Sequence, residues 1–413
     1  MSDVSWSPGQ EKALRDVAEW YRSESATKQV FHLFGYAGTG KTRLAKTIDE
    51  DLTNGSAQFM APTAKASQVL RSKGCDNADT VHSQIYQPKE KSKQKLRDLE
   101  ALRDKLTSER EHNTIYKKDF YDKEIDKLDL AISYENKSAN RPAFSVNLLA
   151  EIRDRPLIIL DECSMIDERV GEDILSFGVP VLVLGDPAQL PPVMGAGFFT
   201  AKRPEVMLTE IHRQAKNNPI IAMATIVREG GSLKPGSYGS SRVIAKAQLN
   251  AEDITGMDQL LVGRNATRRG CNQRLRKLNG IEGIFPQMGE RLVCLRNNRE
   301  LGFWNGGIYR TTEEAHDNGD SLWLNFENVD EPDPKFQAYA HRGHFLGEDI
   351  PWYEKKEREE FDYGYALTVH KSQGSQWGEV AILDEWHVRD SRAQWLYTGI
   401  TRAAEKLLVV QYA

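Results

Sequence analysis

Eight consecutive residues, Gly35, Tyr36, Ala37, Gly38, Thr39, Gly40, Lys41 and Thr42, carry the pattern G-x-x-x-x-G-K-[ST]. In such a run the glycines let successive backbone N–H groups close on phosphate oxygens. The lysine neutralises the outer phosphates, and the threonine hydroxyl offers a ligand to Mg2+. The pattern means this only between a strand and a helix. Here the apolar run Val30 to Phe34 precedes it, and Arg43 to Leu52, rich in helix formers, follows it. The spacing therefore predicts a nucleoside triphosphate site with Mg2+, built from Gly35, Gly38, Thr39, Gly40, Lys41 and Thr42.

A second group supplies a reaction. The apolar run Leu157 to Leu160 ends in Asp161 and Glu162. A strand of that kind places both acids at the carboxyl edge of a parallel sheet. There Asp161 can share Mg2+ with Thr42, and Glu162 can orient and deprotonate an attacking water. A third run, Val181 to Leu184, ends in Gly185-Asp186-Pro187-Ala188-Gln189, so Gln189 is expected to reach the γ-phosphate from a neighbouring strand end. Together these residues point to phosphoanhydride hydrolysis.

Positioning them requires an α/β framework with a parallel sheet. Apolar runs at Gln58 to Ala61, Gln259 to Val262, Val380 to Leu383 and Leu407 to Val410 alternate with helical segments, as a parallel sheet demands. Two stretches break the alternation. From about Gln84 to Ser145 the chain is dense in charge. Apolar stripes at Leu99, Leu102, Leu106 and at Tyr121, Ile125, Leu128, Ile132 predict two helices paired as an antiparallel hairpin. From about Phe285 to Glu360 short alternating runs, Arg291 to Leu295, Ile308 to Thr312 and Ser321 to Phe326, go with the turn pairs Asn305-Gly306 and Asn318-Gly319. They predict a small inserted β-barrel.

The 413 residues allow two or more domains, and 39% hydrophobic with 28% charged residues is the balance of a soluble globular chain. No run approaches the roughly 18 apolar residues of a membrane span. The opening residues lack the layout of a secretory signal, and a cytoplasmic protein is the expectation. Cys75, Cys163, Cys271 and Cys294 have no metal-ligand spacing and read as packed, reduced thiols. A net charge of −5 implies that any nucleic-acid site is a local groove, not a global basic surface.

The order of motifs resembles the superfamily 1 helicases, in the RecD-like branch that includes helicases of tailed phages. The resemblance spans nearly the whole chain. Gln10, ahead of the phosphate loop, resembles the family's adenine-reading glutamine. Ala61-Pro62-Thr63-Ala64-Lys65-Ala66 and Thr80-Val81-His82-Ser83 resemble strand-binding motifs of the first half. Asp161-Glu162-Cys163-Ser164 matches the acidic motif, and Gly185 to Val193 the sensor motif. Leu208-Thr209-Glu210-Ile211-His212-Arg213 resembles a motif that contributes a phosphate-facing arginine. Ala366 to Gly374 and Tyr397-Thr398-Gly399-Ile400-Thr401-Arg402 resemble the last two.

The resemblance implies a fold and a role for each of these residues. Two RecA-like domains hold ATP between them, one from 1–83 and 146–200, the other from 201–284 and 361–413. A helical hairpin (84–145) is inserted in the first and an SH3-like barrel (285–360) in the second. Lys41, Asp161, Glu162, Gln189, Arg213 and Arg402 are the catalytic set, the arginines acting as fingers, with Gln10 and Gly374 also at the nucleotide. Phosphate-directed contacts to single-stranded DNA are expected from Pro62, Thr63, Lys65, Thr80 and His82 in the first half and Thr368, His370 and Lys371 in the second. The expected activity is ATP-driven unwinding of forked duplex DNA by a monomer moving 5′ to 3′, with the helical hairpin a wedge or a docking arm for a replication or repair protein. An RNA helicase of the same superfamily and an ATP-gated strand clamp are the alternatives. Gln376 stands where many members carry a ribose-contacting glutamate.

Overall fold

The computed structural model describes residues 6–88, 93–112, 118, 121–122, 125, 128–129, 132, 144–147, 150–191, 197–210, 217–298, 301–329, 335–348, 350, 358–386 and 388–412. The chain forms two compact units, one of residues 1–81 and 152–413, the other of residues 82–151.

In the larger unit, six parallel strands form a first sheet in the order Asp79–Thr80, Gln58–Ala61, Ile158–Leu160, Val181–Gly185, Val30–Gly35 and Val206–Leu208. The central strands are buried along nearly their whole length, because helices cover both faces and leave no solvent side to alternate toward. Phe31, Leu33, Phe59, Ile159, Leu182 and Leu184 meet Leu44, Ala45 and Ile48 of helix Lys41–Thr53, and Ala13 and Val17 of helix Pro8–Glu19. Parallel register has a functional consequence: Gly35, Ala61, Leu160 and Gly185 all end on the same edge. Every motif that follows one of them is delivered there.

A second sheet runs Ala366–Thr368, Gln259–Val262, Trp377–Asp384, Ala403–Gln411 and Ser241–Ala245, all parallel, with Gly236–Tyr238 antiparallel at the edge. Trp377–Asp384 and Ala403–Gln411 extend well beyond the apolar runs that predicted them. Strands Val206–Leu208, Ser241–Ala245 and Ala366–Thr368 lie outside the apolar runs read from the sequence. Glu385 secures the edge of this sheet to helix Asn265–Leu278. Its carboxylate accepts the N–H groups of Gly263 (3.0 Å) and Arg264 (3.2 Å) and the Thr267 hydroxyl (2.7 Å). Burial pushes this acid up, yet those donors and the Arg264 guanidinium hold it below the usual carboxylate range.

A third, antiparallel sheet has the order His316–Asp317, Ser321–Asn328, Ile308–Thr311, Arg291–Cys294 and Phe361–Tyr363, with Lys335–His341 on the other side of Ser321–Asn328. Ser321–Asn328 alternates between buried and half-buried, the period of a sheet with one covered face. Phe303, Tyr309, Phe326 and Phe361 fill that face, several of them edge to face. Asn318-Gly319 closes a hairpin, with Asn318 N–H donating to Ser321 O at 3.0 Å. Asn305-Gly306 instead lies in the last turn of a long connection from Cys294 to Ile308.

In the smaller unit, helix Lys93–His112 and the helical positions between 118 and 132 carry the ion pairs Arg110–Asp122 (3.0 Å) and Arg103–Asp129 (3.8 Å). The pairing steps up one helix as it steps down the other, so the two run antiparallel. Tyr121 and Ile132 are buried, but Leu102 is 46% exposed. The covered face of the first helix is Leu99, Arg103, Leu106 and Arg110, and the expected Leu102 stripe is off by one position. Arginine stems cover apolar surface while their heads reach the acids opposite. At the base, Tyr86–Pro88 pairs antiparallel with Phe144–Val146.

The described thiols of Cys75, Cys163 and Cys294 are buried and that of Cys271 half-buried, all free, with burial pushing each above its ordinary range. Among the described residues no helix is long and apolar enough to cross a membrane.

Candidate nucleotide cleft

At the carboxyl edge of the first sheet, a cleft of about 370 Å³ lies between the two parallel sheets of the larger unit. Its lining joins residues distant in sequence: Gly38, Gly40, Lys41 and Thr42; Asp161 and Glu162; Asp186 and Gln189; Gly374, Gln376 and Arg402. Gly38 (φ +80°) and Gly40 (φ +79°) adopt the left-handed conformation that bends the loop round, a shape that side chains with a Cβ resist. Gly40 then caps helix Lys41–Thr53 without a side-chain acceptor, which leaves the first N–H groups of that helix uncapped by the protein. That is the arrangement an anion meets at a helix N-terminus.

Lys41 folds over its own loop, its Nζ donating to Gly35 O at 2.6 Å and Tyr36 O at 3.2 Å. Thr39 is fully buried, its hydroxyl donating to Tyr36 O. Thr42 Oγ1 lies 3.4 Å from Asp161 Oδ2. Burial and the Glu162 charge push the Asp161 carboxyl up, against the pull of Lys41. Two hard oxygen donors on one wall, one of them an acid short of positive charge, fit a divalent cation. Glu162 has φ +51° and ψ +40°, one of two described non-glycine residues with positive φ, and its N–H is held by Asp161 Oδ1 at 2.8 Å. Such strain is kept where a side chain must be aimed, here into the cleft. Gln189 is buried, and its Oε1 has no protein partner.

Arg402 enters from the second sheet. It is 5% exposed and held by Thr398 O (3.0 Å), Ser375 O (3.1 Å) and Thr401 Oγ1 (3.1 Å), so its guanidinium is fixed at the cleft wall. Arg213 lies outside the described residues. Gln10 is buried beside the cleft but not in its lining. Its Oε1 accepts Ser7 N–H in a capping box, and its Nε2 donates to Thr39 O at 3.0 Å, tying the first helix to the phosphate loop. Lys73 and Arg43 also line the cleft, and no motif marked either as a site residue.

The candidate strand contacts are less uniformly placed. Pro62, Thr63 and Lys65 are half-buried at the start of helix Ala64–Ser72, where Thr63 Oγ1 accepts Ala66 N–H at 3.1 Å as the helix cap. Thr80 is buried. His82 belongs to the smaller unit, exposed, with its ring 5.1 Å from that of Tyr86. In the second half Thr368, His370 and Lys371 share one turn, in which Thr368 Oγ1 accepts Lys371 N–H at 3.3 Å. The His370 ring lies 5.3 Å from that of Trp386, and burial pushes its pKa down. Burial also pulls Lys371 down to about 8, helped by the nearby Arg268 charge.

A family model described as AAA domain matches residues 5–240, more than half of the chain. The chain belongs to the AAA domain family. A second model, described as UvrD-like helicase C-terminal domain, matches residues 363–410. The ATP-dependent RecD2 DNA helicase of Deinococcus radiodurans is 28% identical over 278 residues, 60% of this chain and 35% of that protein. The probable conjugal transfer protein TraA of Sinorhizobium fredii is 22% identical over 267 residues, 56% of this chain and 22% of its own length. The AAA-family chain thus spans about a third or less of these curated relatives. Among solved structures, the Pif1 helicase of Candida albicans is similar with a TM-score of 0.51 at 17% identity, covering 99% of this chain and 95% of its own. The Bacteroides Pif1 helicase in complex with ADP-AlF3 and ssDNA reaches 0.53 at 17% identity, covering 100% and 93%. The two parallel-sheet domains are RecA-like.

Proposed function

We propose that this chain is an ATP-dependent DNA helicase that moves 5′ to 3′ on single-stranded DNA as a monomer and opens forked duplexes. One observation carries the reading: the loop with Lys41 and the acids Asp161 and Glu162 faces Arg402 of the other RecA-like domain across a single cleft. Two relatives support the choice of DNA, one named a DNA helicase and one solved with ADP-AlF3 and ssDNA.

In this reading the uncapped helix N-terminus and Lys41 hold the phosphates, and Thr42 with Asp161 would hold Mg2+, which would supply charge neutralisation at the phosphate oxygens. Glu162 orients and deprotonates the water, and Gln189 senses the γ-phosphate. Arg402, with Arg213, neutralises charge that grows on the departing γ-phosphate, and Gln10 and Gly374 complete the nucleotide site. Because one finger comes from the second domain, hydrolysis changes how firmly the cleft is closed. With Pro62, Thr63, Lys65, Thr80 and His82 gripping the strand from one side and Thr368, His370 and Lys371 from the other, that change becomes a step. The charged hairpin acts as a wedge on the duplex or as a docking arm for a protein partner.

Strand displacement decides the proposal. A labelled fork and duplexes with a single 5′ or 3′ tail, incubated with and without ATP, should be opened only with ATP and only from the 5′-tailed side. Unwinding in which a 3′ tail suffices would overturn the polarity, and strong RNA but weak DNA stimulation of ATPase would overturn the substrate.

A further inference from the structure

Tyr397 lies in helix Arg389–Ile400 and is 1% exposed. Its hydroxyl makes two hydrogen bonds that leave its own domain. It accepts the Ala37 N–H of the phosphate loop at 3.0 Å and donates to Asp186 Oδ2 at 2.7 Å, at the end of strand Val181–Gly185. Asp186 in turn holds Ala188 N–H through Oδ1 at 3.0 Å. The far end of the same loop is held in the same way: Leu190 N–H donates to Thr398 Oγ1 at 2.9 Å, and Leu190 O accepts Gln373 Nε2 at 2.9 Å. The segment that carries Gln189 is therefore clamped at both ends by the second domain. Gln373 directly follows the turn His370–Ser372, among the candidate strand contacts. Arg228 adds to the grip by stacking on Tyr36 of the phosphate loop at 3.7 Å.

Packing alone would need only the ring at 397, since phenylalanine fills the same space. The hydroxyl serves the two bonds across the cleft. Asp186, Leu190, Gln373, Tyr397 and Thr398 are all nearly or fully buried, so each bond acts in a low dielectric, and a broken one leaves a polar group without water. Such a chain changes as a whole. We propose that the Tyr397 hydroxyl is the positioning group that couples occupancy of the phosphate loop to the strand-contacting turn at residues 368–373. This rests on the nucleotide and strand reading above. Coupling between two binding sites is reciprocal, so it can be measured from the strand side alone, without turnover.

The test is the dissociation constant of a fluorescent oligo(dT), measured without nucleotide and with a non-hydrolysable ATP analogue plus Mg2+. In the wild type the two values should differ by a coupling factor on the order of 5 to 150. Tyr397→Phe should bring that factor to within about twofold of one, while its nucleotide-free affinity stays within about threefold of wild type. A residue that only packs would leave the ratio where it was, so an unchanged factor in a variant of normal melting temperature overturns the inference. Should Tyr397→Phe melt early, Thr398→Val, which removes the second clamp, must lower the factor, and an unchanged value there overturns the inference too. A wild type that binds the oligonucleotide with a factor of one sinks the coupling and leaves the helicase reading standing. A wild type that binds no oligonucleotide sinks both.

Discussion

Gly374 of the second RecA-like domain lies against Thr63 of the first: a Cβ added at 374 would come within 2.9 Å of Thr63 Oγ1 and 3.0 Å of Ala66 Cβ. Thr63 Oγ1 is at the same time the cap of helix Ala64–Ser72. Gly374 also has φ +75°, which costs an L side chain about 1–2 kcal/mol. Gly374→Ala should therefore push the domains apart where they touch. We expect strand-stimulated ATPase to fall more than about tenfold, since small displacements at a positioned site are costly in rate. Melting temperature should drop by a few degrees at most. Normal ATPase in the purified variant would show that this contact does not govern closure.

Lys41 and Glu162 should separate binding from chemistry. Lys41→Ala removes the charge that meets the phosphates, so nucleotide affinity and turnover both go. Glu162→Gln leaves the cradle intact and removes the base, so nucleotide binding persists while kcat falls by about 10²-fold or more. Fluorescent-nucleotide titration beside steady-state ATPase reads both. Near-normal turnover in Glu162→Gln would remove this residue from the mechanism.

Arg402 is held in place by Thr398, Ser375 and Thr401, so it is positioned by the protein itself and its contribution should appear in the transition state. Arg402→Ala is expected to lower kcat by about 10³-fold or more, while ATP affinity changes by less than about tenfold. A large loss of affinity at unchanged kcat would make it a ground-state contact.

The parallel framework was legible because the phosphate loop, the Asp161-Glu162 pair and the Asp186–Gln189 segment each follow an apolar run, and parallel register alone brings Gly35, Leu160 and Gly185 to one edge. Contacts that depend on how the two halves face each other were not legible. Tyr397 stood inside a recognised motif, yet nothing in its spacing says that its hydroxyl reaches Ala37 and Asp186. Lys73 had no motif at all and lines the cleft through tertiary placement. Gln10 and Thr63 show the converse limit: polar side chains at helix starts fit ligand contact and helix capping equally, and here both cap. In the charged hairpin, arginine stems take positions that hydrophobic periodicity assigns to leucine, so the stripe was read out of phase at Leu102.

Lys371 gives a pH signature. Burial lowers its pKa to about 8, so the ammonium is charged below that pH and neutral above it. A phosphate contact through Lys371 is then lost as pH rises through 8, and strand affinity should weaken between pH 7 and 9. Lys371→Arg stays charged throughout and should abolish the weakening. Lys371→Met should bind like wild type at high pH, and at pH 7 it should lower the slope of log affinity against log salt by about one unit. Lys65→Ala should lower that slope by the same amount. For stability the sign is separate: the folded state gives up this proton at lower pH than the unfolded chain, so folding gains stability between about pH 8 and the ordinary lysine range. A flat strand affinity from pH 7 to 9 would place Lys371 away from the backbone.

The helical hairpin can be removed as a test of what it does. Residues 82–151 form a compact unit of their own, closed at its base by the pairing of Tyr86–Pro88 with Phe144–Val146, and the described lining of the nucleotide cleft belongs to the larger unit. Replacing residues 88–138 with a short Gly/Ser linker should therefore leave the two RecA-like domains folded and the ATPase responsive to single strands. If the arm separates strands at the fork, duplex opening should fall steeply in the same preparation, with translocation on single strands preserved. If the arm instead docks another protein through its mixed charges, the purified deletion variant should unwind as well as wild type. Measuring ATPase, translocation and strand displacement on one sample distinguishes these outcomes. Full unwinding by that variant sinks the wedge and leaves the docking role.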